Sequence, residues 1–455
     1  FQDLILVGSK VLVPFGRNGK LEEAFVIKIK ENTDFEVKDI AKIENSLTNK
    51  QIDLAKWIAK RYFCTVSDSI KLMLTPGTKN KDKAIKEKTI QEVYIKKDAE
   101  EIKKELNENK IKSIKQQKVL RFILENGSST IPNIEEKIDC SRAIVKTLIK
   151  NGYLDVGEMQ IKRDPLKEKE IKQTDFLKLT DEQENAYNKV KYSMQNNQYK
   201  RFLLYGVTGS GKTEVYLQLI QEALKEGKGS IVLVPEISLT PQMLDRFISR
   251  FGKEKIAVLH SKLSLGEKYD EWNKIKNGEA KIVIGARSAI FAPVNNLGII
   301  IIDEEHDTSY KSESNPKYDA KEVAKYLAKQ NNCPLLLGSA TPDIRTYYKA
   351  KELNKIELLE LTRRANNSSL PQVTIIDLKQ ELANGNRSML SNELYASIEK
   401  NLKEKRQTIL FLNRRGYSTF IMCRDCGYTV KCKNCNISLT YHRYEKKLKC
   451  HYCRI

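Results

Sequence analysis

Long apolar runs are missing from this 455-residue chain. No stretch approaches the roughly 18–20 apolar residues that a membrane helix needs. The longest, Gly298-Ile299-Ile300-Ile301-Ile302, has the length of a strand. The first residues lack a charged segment followed by a long apolar one, so no secretory signal is expected. An initiator Met is also missing. Phe1 and Ile455 both fall in mid-phrase, so a longer protein is expected around this piece. Acids are in deficit, with 59 Asp and Glu against 80 Lys and Arg, a net charge of +21. Cysteine is sparse up to residue 422, where Cys64, Cys140 and Cys333 stand apart. Six more crowd into 423–453. That distribution argues against a secreted disulfide framework and for metal in a reducing, cytoplasmic setting. There is no fixed-period repeat.

The positive features begin with enough apolar material for packed cores. Hydrophobic residues make up 40%, which excludes wholesale disorder. At ~100–200 residues each, about three domains are expected. The charge points to a polyanionic partner, nucleic acid before a membrane surface. Residues 1–78 read as a β-rich domain. Lys10–Pro14 and Ala24–Ile29 read as strands, and 48–63 form a helix with Ile52, Leu54, Trp57 and Ile58 on one side. Residues 79–112 read as a Lys/Glu-rich charged linker. Over 113–172, short helices lead to a hairpin-like Gly152–Val156. A winged helix and a generic helical domain both fit. From 173 onward, apolar runs alternate with helical stretches: Phe202–Tyr205, Ile231–Val234, Ile256–Leu259, Ile282–Ile284, Ile299–Ile302 and Leu335–Leu337. This alternation implies a parallel sheet covered on both faces. Val373–Ile376 and Ile409–Leu412 begin a second series.

Gly206-Val207-Thr208-Gly209-Ser210-Gly211-Lys212-Thr213 follows one of these strands and precedes a helix over Glu214–Leu224. In that setting it is a phosphate-binding loop. Glycines let backbone N–H groups converge on phosphate at a helix N-terminus. Lys212 offers charge to the β- and γ-phosphates, and the Thr213 hydroxyl can hold Mg²⁺. Some 90 residues on, Ile299–Ile302 ends in Asp303-Glu304-Glu305-His306. Asp303 is expected to face Mg²⁺ and Glu304 to polarise the attacking water.

The other signal is Cys423-x-x-Cys426, Cys432-x-x-Cys435 and Cys450-x-x-Cys453. Two such pairs complete one tetrahedral Zn²⁺ site. Three pairs give one site and half of another, so a fourth pair is expected outside the chain, unless His442 or His451 lends a ligand. Residues 423–455 carry eight Lys and Arg against Asp425 and Glu445, with Tyr428, Tyr441, Tyr444 and Tyr452 interleaved. Single-stranded nucleic acid and a protein-docking role both suit that surface.

Asp303–His306 together with Gly338-Ser339-Ala340-Thr341-Pro342 resembles the motor of superfamily-two helicases. Two further segments, Pro235–Gln242 and Gly285–Phe291, stand in the order expected of one family, as do Phe411–Tyr417 and the cysteine pairs. In that order they closely resemble the PriA family of bacterial replication-restart helicases. The N-terminal Val11–Gly16 fits that family's 3′-end-binding domain. The resemblance implies a multidomain α/β fold: a RecA-like P-loop lobe with a parallel sheet over 173–355 and the start of a second RecA-like lobe over 356–422. It also implies a winged helix, with 423–455 as a zinc-binding insertion. It implies an ATP-dependent 3′-to-5′ DNA helicase that recognises stalled forks and D-loops and initiates primosome assembly. The implied partners are single-stranded DNA, the 3′ end of a nascent strand, the single-stranded DNA-binding protein and helicase-loader proteins. Gln183, within Leu179–Gln183, is the implied adenine reader. His306, Tyr310, Lys311, Tyr318, Ser339, Thr341, Arg287 and Arg414 are the implied coupling or DNA-contacting residues. The pairing implied is Cys432, Cys435, Cys450 and Cys453 on one zinc, leaving Cys423 and Cys426 short of partners.

Two departures stand out. Lys321 occupies a place where the family usually has Arg, and Glu322 one where it usually has Asp; a Lys point charge cannot make a bidentate contact. Two other readings remain open: another superfamily-two translocase, and a fork-docking scaffold with a degenerate ATPase. Intact Lys212, Asp303 and Glu304 argue against the scaffold.

Overall fold

The structure, a computed structural model, describes residues 5–16, 19–30, 37–45, 47–77, 89–160, 163, 165–166, 172–365, 371–411, 423, 426, 428–442, 447–450 and 452–453. Arg414 and His451 lie outside the described residues. The chain forms two units, 1–368 and 369–455. Among the described residues, no helix is long and apolar enough to cross a membrane.

The chain opens with strands β1 (Ser9–Phe15), β2 (Lys20–Phe25) and β3 (Lys42–Asn45), an antiparallel sheet with β1 central. Helix α1 (Asn49–Tyr62) starts at a capping box, in which Thr48 and Gln51 satisfy each other's backbone N–H. Its Ile52, Leu54, Ala55 and Ile58 are buried. They join a core that also holds Ile290, Phe291, Val323 and Ala324 of the large sheet's lower layer. A short helix, α2 (Val66–Lys71), follows.

Next come β4 (Thr89–Ile95), α3 (Ala99–Asn107), α4 (Ile114–Asn126), β5 (Ser128–Thr130), α5 (Ile131–Ile138), α6 (Arg142–Lys150) and β6 (Leu154–Gln160). The antiparallel sheet has the order β5-β4-β6. A charged linker over 79–112 is corrected here for residues 89–112. Val93, Ile102, Leu106 and Ile111 are buried with Val119, Leu120, Ile123, Val145, Leu148 and Leu154 in one core. Glu100, Glu101, Lys103 and Lys104 of α3 are exposed, while Ile102 and Leu106 meet on its inner face at a spacing of four. High charge hid a half-buried helix.

The third part holds α7 (Asp181–Gln195), β7 (Arg201–Gly206), α8 (Lys212–Lys225), β8 (Gly229–Leu233), α9 (Pro241–Phe251), β9 (Ile256–Leu259), α10 (Leu265–Lys276) and β10 (Ile282–Gly285). After these come β11 (Leu297–Ile302), α11 (Ala320–Gln330), β12 (Leu335–Ser339), α12 (Ile344–Lys351) and β13 (Glu357–Leu361). Seven parallel strands lie in the order β13-β7-β12-β11-β8-β10-β9. Apolar cores cover both faces, as the uninterrupted apolar strands require. The expected boundary at 355 falls too early, since β13 pairs with β7 beyond it. Its Glu357-Leu358-Leu359-Glu360-Leu361, interrupted by two acids, sits at the sheet edge and gives a weaker apolar signal.

The second unit contains α13 (Leu378–Ala383), α14 (Asn392–Lys403) and the antiparallel pair β14 (Thr440–His442) and β15 (Lys447–Lys449). The strands expected at 373–376 and 409–412 are not formed over their described residues. Val373, Ile375, Ile409 and Phe411 are exposed, and a parallel strand is stable only with a neighbour and both faces covered.

Candidate nucleotide site and zinc centre

The sheet order brings three chain segments to one edge. β12 lies between β7 and β11, so the phosphate loop, Ser339 and Asp303 emerge side by side at strand carboxyl ends. That is where α/β sheets place their ligands. Gly209 and Gly211 have φ of 81° and 79°, a conformation open to glycine at little cost. At Gly211 a Cβ would also overlap the Gln183 amide nitrogen. Lys212 Nζ donates to Gly206 O at 2.8 Å. Burial depresses the Lys212 pKa, against the opposing charges of Asp303 and Glu304. The Ser210 hydroxyl is buried without a partner among the described residues.

Opposite stands the acidic turn. The Tyr216 hydroxyl donates to Asp303 Oδ1 at 3.0 Å. Burial, then the nearby Glu304 charge, raises the Asp303 pKa. Glu304 has φ of 44°, and a non-glycine residue held there costs on the order of 1–3 kcal/mol. The Tyr310 hydroxyl donates to Asp303 O at 2.6 Å, with Leu233 O 3.1 Å away. Between loop and turn runs a cleft of about 1010 Å³. Thr208–Glu214, Asp303 and Glu304 line one end, and Thr174–Leu177, Arg246 and Arg250 the other. A buried carboxylate with a raised pKa, facing a phosphate loop, fits a divalent cation, because the cation would reverse that shift.

Gln183 is buried and contacts the phosphate loop. Its Nε2 donates to Ser210 O at 2.7 Å and its Oε1 accepts from Thr180 N–H at 2.9 Å. It is absent from the cleft lining, where Phe176 and Leu177 stand instead.

His306, Ser339 and Thr341 are brought together. His306 Nδ1 lies 2.8 Å from Ser339 Oγ, which accepts from Thr341 N–H at 3.0 Å. Arg287 donates to Lys311 O at 2.5 Å and Ser309 O at 3.4 Å, and its guanidinium lies 5.7 Å from the Tyr318 ring centre. Lys311 is exposed, but Tyr310 is 0% and Tyr318 4% exposed. The family resemblance implies coupling or DNA contact for these two tyrosines, and their buried rings leave no free face for a base to stack on. Lys321 makes the monodentate contact expected of Lys, 3.2 Å from Glu305 Oε2, and also donates to Glu305 O at 2.9 Å. Fully buried Glu305 also accepts from Asp343 N–H at 2.7 Å and the Thr346 hydroxyl at 3.2 Å. Sequence reasoning did not single out Glu305, Tyr216, Glu214 or Arg250. No periodicity says which turn of α8 faces which distant strand.

In the second unit the Sγ atoms of Cys432, Cys435, Cys450 and Cys453 all lie within 4.8 Å of one another. Four sulfurs at ~2.3 Å from a tetrahedral zinc would be separated by about 3.8 Å, so the group fits the ion. Backbone N–H groups of Asn434 and Cys435 pull the Cys432 thiol down to about 7, while the Cys435 sulfur helps push Cys453 up to about 12. Four crowded thiols cannot all ionise without a cation. Cys423 and Cys426 are exposed and outside this group.

Three family matches cover these parts. Residues 2–75 match the 3′DNA-binding domain (3′BD). Residues 176–344 match the type III restriction enzyme res subunit. Residues 432–454 match the PriA DNA helicase Cys-rich region. Replication restart protein PriA of Bacillus subtilis is 41% identical over 99% of this chain and 64% of its own length. The Chlamydia muridarum protein of that name is 39% identical over 99% of this chain and 61% of its own. The Haemophilus influenzae one is 34% identical over 98% and 60%. The chain thus spans under two thirds of the length of these relatives. The cysteine module, the N-terminal sheet and the phosphate-loop lobe recur along one alignment, and on that ground the chain belongs to the family of replication restart protein PriA.

Proposed function

We propose that this chain is the motor-bearing part of an ATP-dependent 3′-to-5′ DNA helicase that recognises stalled forks and D-loops and starts primosome assembly. The observation that carries this reading is the cleft with Lys212 on one side and Asp303 and Glu304 on the other. Gly206, Val207, Thr208, Gly209, Ser210 and Gly211 would cradle phosphate, and Lys212 would neutralise it. Gln183 would brace the loop from behind, and any contact it makes with adenine requires it to exchange a present partner. Mg²⁺ bound by Thr213 and Asp303 would offset charge developing on the transferred phosphoryl group. Glu304 would orient the attacking water.

His306, Ser339 and Thr341 would carry the nucleotide state to Lys311, Arg287 and the buried Tyr310 and Tyr318. Arg414 keeps the role that family resemblance implies. Residues 1–78 would take the 3′ end of a nascent strand, the single-stranded DNA-binding protein and helicase loader would be partners, and the setting would be the bacterial cytoplasm. One zinc would sit on Cys432, Cys435, Cys450 and Cys453; Cys423 and Cys426 would take part in a second.

The test uses full-length protein. ATP hydrolysis should rise on adding forked DNA, and Lys212→Ala should lower it by about a hundredfold or more, some 2.7 kcal/mol. Undiminished hydrolysis by that variant would refute the phosphate-loop assignment. A wild-type protein that binds forks without DNA-stimulated hydrolysis would favour the scaffold reading.

A further inference from the structure

The cleft has an end that the phosphate chemistry does not use. Residues 174–177 cross it as a strap, tied down at both ends. Thr174 N–H donates to Ser249 O at 2.9 Å, and its hydroxyl lies 3.2 Å from Ser249 Oγ. At the other end, Leu177 N–H donates to Glu214 Oε1 at 2.9 Å, and Leu177 O accepts from Gln218 Nε2 at 2.7 Å. Between the ties the Phe176 ring is 37% exposed. It packs against Phe251 at 6.1 Å and under the Arg250 guanidinium at 5.4 Å.

The ties at Leu177 meet at Glu214 directly, and Thr174 is linked to it through Arg250. This side chain is 9% exposed and sits in the first turn of α8, directly after Thr213. One carboxylate oxygen holds Leu177 N–H and the Gln218 amide, the latter at 3.0 Å. The other holds Arg250 at 3.2 Å in an ion pair with both side chains about nine-tenths buried. Arg250 in turn donates to the Thr174 hydroxyl at 2.9 Å. A buried carboxylate facing a strap N–H, a helix amide and a guanidinium is fully engaged, so its position and that of the strap are set together.

We propose that Glu214 is a positioning residue for a nucleobase subsite formed by Phe176, Leu177 and Arg250. It fixes the distance between that subsite and the phosphate loop by belonging to both. The proposal rests on the nucleotide reading of the phosphate loop. The aromatic base of a nucleoside triphosphate would stack on the half-exposed Phe176 ring, with Arg250 behind it. Glu214 touches neither base nor phosphate and acts through the strap.

The test is Glu214→Gln in the full-length protein, with two probes: ATP and inorganic tripolyphosphate, which lacks a base. The amide oxygen of Gln can still accept from Leu177 N–H, but the charge opposite Arg250 is lost. The KM for ATP should rise about tenfold with kcat little changed. Inhibition by tripolyphosphate should stay within about twofold of wild type. Arg250→Gln should reproduce the effect, and the double variant should add little to either single one. Arg250→Lys keeps the charge and should restore part of the affinity. If Glu214→Gln weakens tripolyphosphate as much as ATP, or lowers kcat with KM unchanged, the residue shapes the phosphate loop alone and the proposal is overturned. If Lys212→Ala leaves tripolyphosphate inhibition intact, the phosphate-loop reading itself fails and takes this one with it.

Discussion

Asp303 is held by a neighbour that no motif names. The Tyr216 hydroxyl reaches Asp303 Oδ1 because Gly338, at the end of β12, has no side chain in the way; a methyl there would overlap the Tyr216 oxygen. A hydrogen bond to a charged group is worth about 1.5–3 kcal/mol. Tyr216→Phe should therefore lower kcat for ATP hydrolysis by about tenfold with KM little changed. Gly338→Ala should lower it further, because displacing the ring moves the whole acidic turn. Steady-state kinetics on folded variants, checked by circular dichroism, decide the point. Equal activity of Tyr216→Phe and wild type would remove Tyr216 from the site. Lys212, Asp303 and Glu304 were legible in the sequence because their chemistry demands fixed positions relative to a strand end. Tyr216 was not, because its partner lies 87 residues away and only sheet order brings the two together.

At the scale of elements, α1 shows the same divide. Its amphipathic face announced a helix over 48–63, within a residue of the helix found. Where that face would dock was not legible, since an apolar stripe says how much must be covered but not by what. It docks on α11. Trp57 stacks on Tyr326 at 4.7 Å and 26°, Tyr62 accepts from Asp319 N–H at 3.2 Å, and Gln330 donates to Lys50 O at 3.0 Å. The N-terminal part thereby grips the helix whose first turn carries Lys321, the partner of Glu305. Fully buried Trp→Ala changes cost about 3–5 kcal/mol. Trp57 is half-buried, so Trp57→Ala should cost roughly 2–3 kcal/mol, read as a lower denaturant midpoint with an unchanged slope. Trp57→Phe should recover most of it. A midpoint that does not move would mean that the Trp57 stack contributes nothing and that the aliphatic contacts and hydrogen bonds hold the two parts together.

For the molecule as a whole, the +21 charge indicates a polyanion, and the motifs indicate what is done with it. The order of modules was readable because each carries short-range chemistry: a glycine loop, an acidic turn, paired cysteines. Over their described residues, the strands expected at 373–376 and 409–412 do not form, because apolar runs report a need for burial that the rest of the fold must meet. The cysteine module permits a clean separation of roles. The four-sulfur group lies within 432–453, and among the described residues the side chains lining the candidate nucleotide cleft lie within 174–304. Zinc bound by structural sites of this type contributes about 10–16 kcal/mol, enough to order a module too small for an apolar core of its own. The 455-residue chain should therefore carry close to one zinc by metal analysis. Cys450→Ser should lower that content to near zero, while Cys423→Ser should leave it unchanged, because Cys423 stands outside the four-sulfur group. Fluorescent-nucleotide affinity should stay within about twofold in all three proteins, a change of under roughly 0.4 kcal/mol. Zinc retained by Cys450→Ser would overturn the four-cysteine assignment. A nucleotide site lost along with the zinc would show that the cleft depends on more of the chain than the residues that line it.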